Sequence, residues 1–119
     1  VENFTNKNYN IPAELTLDII GGKWKTITLC HLTHGPKRSG ELMKLMPVIT
    51  RKMLTQSLRE LEADGLISRT VFEGKQLKVI YELTELGLTL QPVLQALCNW
   101  GENMIEMQNM EKENKISNL

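Results

Sequence analysis

The sequence predicts an α+β chain, mostly helical, in which a β-hairpin follows two closely spaced helices and a long helix closes the chain. Three observations carry this. Residues 49–65, ITRKMLTQSLRELEADG, make one amphipathic stretch with a leucine stripe and a cationic opposite face. Residues 66–83 read as two strands around a Gly-containing tip. From Leu86 onward, apolar residues recur at spacings of four and three, a heptad-type seam.

Residues 1–10 carry four Asn and little to bury, so a flexible N-terminal arm is expected there. Ile11-Pro12 opens a short helix with Pro in its first turn, anchored by Leu15, Ile19 and Ile20, and Gly21-Gly22 breaks it. Lys23 to His34, KWKTITLCHLTH, is apolar around most of its circumference and suits a helix packed on several sides. Gly35-Pro36 ends it. Ser39 is expected to cap a short helix, Gly40 to Met46, with Glu41 in its first turn and Leu42 and Leu45 along its inner edge. Pro47 stops that helix, and the next begins at its N-cap Thr50 and runs to Asp64-Gly65.

On a wheel of about 100° per residue, Leu54, Leu58 and Leu61 share one face of this second helix. Lys52, Thr55, Gln56 and Arg59 occupy the other, with Arg51 in the first turn. A short helix, a tight turn and a longer basic-faced helix form a helix-turn-helix pattern. The strands at Leu66 to Phe72 and Leu77 to Leu83 would then be its wing, with Lys75 and Lys78 at or near the tip. The predicted fold is a winged helix-turn-helix with a β-hairpin wing and a terminal dimerisation helix.

Thr84 is placed to cap that last helical region, and Pro92 predicts a kink or break near Gln91. Its seam is Leu86, Leu90, Val93, Leu97, Trp100, Met104 and Met107. Leu86 and Leu90 should close over the core of one chain. Beyond Trp100 the seam outruns what a small domain covers, so Val93, Leu97, Trp100, Met104, Ile105 and Met107 are expected to meet a second copy. The folded domain should thus span residues 11–108, with residues 109–119 a flexible acidic tail.

At 119 residues and 41% hydrophobic composition, a single domain is expected. No apolar run approaches the ~20 residues of a membrane span, and a cytoplasmic location is the expectation. The formal net charge of zero conceals an asymmetry. Lys23 to Lys78 holds eleven Lys and Arg against five Asp and Glu; the remainder holds three against nine. The basic middle sets the local field that a phosphate backbone would meet.

Cys30 and Cys98 lie in apolar helical patterns without a CxxC pair and read as small buried hydrophobes. Cys30 and His34 have the i, i+4 spacing of metal ligands, but a zinc site takes three or four and no second cluster follows. No metal or cofactor is expected. No Ser-His-Asp arrangement, phosphate-cradling Gly loop or carboxylate pair occurs, so an enzyme is disfavoured.

The segments LTLDIIGGKWKTITLCHL, GPKRSGEL, ITRKMLTQSLRELEADGLISRTV and YELTELG together resemble the HxlR family of bacterial, MarR-like winged helix-turn-helix transcriptional regulators, over about residues 11–105. IGGKW and KMLTQSLRELEADGLI are the most specific of these. The resemblance implies homodimeric DNA binding, a recognition helix at Thr50 to Asp64, a wing at Phe72 to Lys78, and dimerisation through the terminal helices. The chain departs from the family pattern at Ile11, where many members have a Cys that serves in some as a thiol sensor, at Ser39 in place of Phe, and at Gln76-Leu77 in place of a Pro-Pro pair.

Phosphate contacts are therefore expected from Lys37, Arg38, Lys52, Lys75 and Lys78, and base readout from Arg51, Thr55, Gln56 and Arg59. Two other readings stay open. One is a winged-helix module that binds protein without DNA; the other is a metal-responsive regulator resting on Cys30 and His34. Thiol oxidation is not expected to switch the protein, the one open route being a Cys98 disulfide between subunits.

Overall fold

A computed structural model describes residues 8–117. Most of the predicted arm, residues 1–7, lies outside the described residues. Its end is tied down: the Tyr9 hydroxyl donates to Asp18 at 2.8 Å, and the Asn10 N–H donates to the Glu14 carboxylate at 3.1 Å.

Helix α1 (Pro12–Ile20) starts on Pro12, whose missing N–H costs nothing in a first turn. Gly22 follows with φ of +90°, a backbone setting in which side chains other than glycine's are strained. It turns the chain into α2 (Lys23–Leu32), which buries Thr28, Leu29 and Leu32. This helix ends two residues before the predicted His34. The Thr33 hydroxyl bonds the Cys30 carbonyl at 2.6 Å, and Thr33 and His34 form a turn that closes the helix.

Helix α3 (Ser39–Leu45) starts one residue earlier than predicted. Arg38, not Ser39, holds the capping position, because the Glu41 carboxylate reaches back to accept the Arg38 N–H at 3.0 Å. Its inner edge also differs. Leu42 is fully buried, but Met46 at i+4 fills the core position, and Leu45 is 47% exposed. After the turn over residues 46–50, α4 (Arg51–Ala63) begins as predicted, with the Thr50 hydroxyl accepting the Met53 N–H at 3.1 Å. Leu54, Leu58 and Leu61 face inward, joined by Ser57.

Strands β1 (Ile67–Phe72) and β2 (Lys78–Leu83) pair antiparallel from Ile67 opposite Leu83 to Phe72 opposite Lys78. Lys37 adds one further rung: its N–H and carbonyl exchange bonds with Tyr81 at 2.9 and 2.8 Å. The segment entering the helix-turn-helix is thereby fixed to the base of the wing.

The Thr84 hydroxyl caps α5 (Glu85–Leu88) by accepting the Gly87 N–H at 3.1 Å. Gly87 lies so near β1 that a Cβ there would sit 2.1 Å from the Leu66 carbonyl oxygen. The chain then breaks ahead of Pro92, and α6 (Gln91–Ser117) begins. Leu90 packs on the core as expected, whereas Leu86 is 39% exposed. The break separates Leu86 from the stripe that continues in α6, so the seam is not one continuous helix face. Helix α6 also runs through Asn109 to Ser117, where a frayed tail was expected. Met110, Glu111, Lys112 and Glu113 are all good helix formers, which favours continuation.

One core unites these elements: Ile20, Leu29, Leu32, Leu42, Met46, Ile49, Leu54, Leu58, Leu61, Leu66, Ile67 and Leu94. Among the described residues, helix α6 contributes only Leu94 to it. At ~1.5 Å per residue, most of this 27-residue helix projects beyond the winged domain. No helix among the described residues is long and apolar enough to cross a membrane.

Candidate nucleic-acid interface

Arg51, Lys52, Thr55, Gln56 and Arg59 are all exposed and line one shallow depression along α4, together with Glu60. The leucine stripe fixes this face outward, since rotating α4 would expose Leu54, Leu58 and Leu61. Arg51, Lys52 and Arg59 form no salt bridge among the described residues. The polar members are less free. The Thr55 hydroxyl donates to the Arg51 carbonyl at 2.8 Å, so Thr55 offers a partner an acceptor oxygen and a methyl group. The Gln56 amide donates to Glu60 at 3.3 Å, and the same carboxylate lies 3.7 Å from Lys25 Nζ. Glu60 thus holds Gln56 to the helix surface and offsets one cation.

Lys37 and Arg38 stand at the start of α3, Lys37 partly buried through its pairing with Tyr81 and Arg38 exposed. Lys75 lies in the hairpin tip and Lys78 opposite Phe72 at its end, both exposed. The tip also shows apolar surface, with Phe72 53% and Leu77 72% exposed.

On α6, Val93, Leu97, Trp100 and Met107 are exposed and Met104 is partly buried. These five recur at helical spacing along one stripe. Ile105 is exposed too, but it lies about 100° around the helix from Met104. Cys98, read from the sequence as a small buried hydrophobe, is instead exposed in the α2–α6 cleft, whose lining also includes the partly buried Cys30. His34 is exposed, and no group of three or more His, Cys, Asp or Glu is placed to hold a metal among the described residues. His31, partly buried in the same cleft, has its pKa lowered, first by burial and then by the charges of His34 and Lys37.

A family profile described as HxlR-like helix-turn-helix matches residues 19–109. The chain belongs to the HxlR family. It is 61% identical over 99 residues to the HTH-type transcriptional regulator YtcD of Bacillus subtilis, an alignment covering 83% of this chain and 79% of YtcD. The crystal structure of a ytcD regulator superposes with a TM-score of 0.75 at 56% identity, covering 81% of this chain and 98% of that one. The redox regulator HypR in its oxidized form superposes with a TM-score of 0.76 at 49% identity, covering 78% and 96%. This HxlR-family chain is a helix-turn-helix transcriptional regulator.

Three groups of surface residues escaped the sequence reading. Arg69 lines a cleft between α4 and the wing with Thr55, Arg59, Glu62 and Tyr81. Strand alternation would have placed it on the same face as the buried Ile67. Lys23, Trp24 and Lys25, at the start of α2, line a second depression with Met53, Gln56 and Glu60. No local pattern announces that meeting, which tertiary packing alone creates. Ile11 and Leu17 of α1 are 57% and 63% exposed, and Leu17 has the i+4 spacing from Ala13 that marks an outer face.

Proposed function

We propose that this chain binds operator DNA as a homodimer, with α4 in the major groove and the β1–β2 hairpin along the flanking backbone. The observation that supports this most is the exposed, outward-fixed face of α4, where Arg51, Lys52 and Arg59 have no carboxylate partner among the described residues. Arg51 and Arg59 can pair bidentately with guanine, Gln56 with adenine once released from Glu60, and Thr55 can meet a thymine methyl group. Lys37, Arg38, Lys52, Lys75 and Lys78 supply charge to phosphates and set register. Arg69 joins them between helix and wing.

Dimerisation uses the stripe Val93, Leu97, Trp100, Met104 and Met107, with Ile11 and Leu17 of α1 as further apolar surface. Two recognition helices then address half-sites about one helical turn, ~34–36 Å, apart.

The test is fluorescence anisotropy of the full chain on DNA from upstream of its own coding region, titrated against salt. The expected result is specific binding that weakens steeply, with log K falling linearly in log salt by several units. Salt-independent or absent DNA affinity, with the recognition face tolerant of charge removal, would favour the protein-binding alternative.

A further inference from the structure

The two cysteines of the chain lie far apart in sequence and meet in the fold. Cys30 follows the buried Leu29 on α2, and Cys98 lies one turn beyond the buried Leu94 on α6. The packing that buries both leucines therefore places the two cysteines in the lining of one cleft, near enough for Cys98 to raise the pKa of Cys30. Both border an open cleft whose lining also includes His31, Thr33, His34 and Gln95. Cys98 is exposed and Cys30 partly buried. Burial, and secondarily the neighbouring Cys98, push the Cys30 thiol up to about 11, so Cys30 stays protonated at neutral pH. The cleft shares no lining residue with the depressions along α4. Cys98 also lies about 100° around α6 from Leu97, which turns it away from the exposed stripe and toward its own chain.

We propose that Cys30 and Cys98 form a reversible intrachain disulfide site, oxidised by hydroperoxides, with Cys98 the attacking sulfur and Cys30 the resolving one. Cys98 is the sulfur that oxidant can reach. As its thiolate it attacks one oxygen of the peroxide: an S–O bond forms and the O–O bond breaks. The departing oxygen takes up the proton that Cys98 has lost and leaves as alcohol or water. Cys98 is then a sulfenic acid. The Cys30 sulfur, in the lining of the same cleft, attacks the Cys98 sulfur; the S–S bond forms, the S–O bond breaks, and hydroxide leaves with the Cys30 proton as water. The peroxide is reduced and the thiol pair loses two hydrogens. A small dithiol restores both thiols by exchange. The bond would staple the projecting helix α6 to α2 of the winged domain, against which it packs.

The test treats the full chain with hydrogen peroxide at one equivalent, quenches by alkylation, and reads intact mass, non-reducing electrophoresis and a peptide map. The expected wild-type product is lighter by two hydrogens, migrates as a single chain, and links the Cys30 and Cys98 peptides. Cys30→Ser should instead gain one oxygen, trapped by dimedone at Cys98, and Cys98→Ser should resist oxidation. A disulfide joining two chains would overturn the proposal. So would wild-type protein that accumulates oxygen at Cys98 without forming the link. Oxidation of Cys98→Ser at the wild-type rate would overturn the assigned roles. Should either variant fail to fold, the wild-type product alone decides whether the bond forms. Since the readout is mass, it is independent of DNA binding.

Discussion

At the scale of single residues, the interface depends on which side chains are free and which are engaged. Arg59 is exposed, has no ion-pair partner among the described residues, and lines both the α4 depression and the cleft toward the wing. Arg59→Ala leaves Leu58 and Leu61 in place, and specific binding should weaken by ~1–3 kcal/mol with relaxed preference at one position per half-site. A uniform loss across sequences, with the salt slope reduced by about one, would assign Arg59 to phosphate instead. Unchanged DNA binding by a folded variant would contradict both roles. His31 carries a different prediction, because its pKa is lowered by burial and by His34 and Lys37. Below the ordinary value of about 6.5, the unfolded chain takes up a proton that folded His31 resists. Stability should therefore be fullest above that value and fall as pH drops through it. The Tm decline between about pH 7.5 and about pH 5.5 should be shallower in His31→Gln than in wild type. Equal slopes in the two proteins would remove His31 as the cause.

At the scale of elements, helix α4 was the most legible part of the chain because its signals agree. The Thr50 cap, the Leu54, Leu58, Leu61 stripe and the Gly65 stop, with φ of +76°, all mark the same boundaries. Thr50→Ala would leave the Met53 N–H without its side-chain acceptor. Urea denaturation should report a loss of about 1 kcal/mol, and no loss at all would mean that water replaces the cap. The hairpin was legible for similar reasons, through alternation and a Gly-containing tip. What the sequence concealed depends on tertiary pairing. The single rung between Lys37 and Tyr81 is too short to leave an alternating pattern. The start of α3 was misread because Ser39 is the better capping residue by type, yet Glu41 reaches back to Arg38. The Cys30–Cys98 meeting follows from α2–α6 packing, to which no local spacing corresponds. The α4 cations were readable from charge and period, whereas Arg69, Lys23 and Lys25 come to line the depressions beside α4 only through folding.

At the scale of the whole molecule, the extents of 61 × 46 × 24 Å describe a small winged domain with a helix standing out from it. An isolated helix in water is marginal, and past Leu94 no side chain of α6 is buried among those described. A second copy packing on Val93, Leu97, Trp100, Met104 and Met107 would supply the missing cover, and a standard interface buries about 800 Å² per partner. Leu97 and Trp100 are 48% and 70% exposed in one chain, so changing them should leave the winged core intact. The double variant Leu97→Glu with Trp100→Glu places like charges from both subunits against each other in a desolvated patch. Analytical ultracentrifugation should then show a monomer where wild type sediments as a dimer. Far-UV circular dichroism should show a partial loss of helix, confined to the unsupported end of α6, while the core anchored by Leu29, Leu61 and Leu94 still unfolds cooperatively. Operator affinity should fall further than from any single α4 substitution, because each monomer engages one half-site without the other. A variant that still sediments as a dimer would place the interface away from this stripe, leaving the exposed α1 surface at Ile11 and Leu17 as the next region to alter.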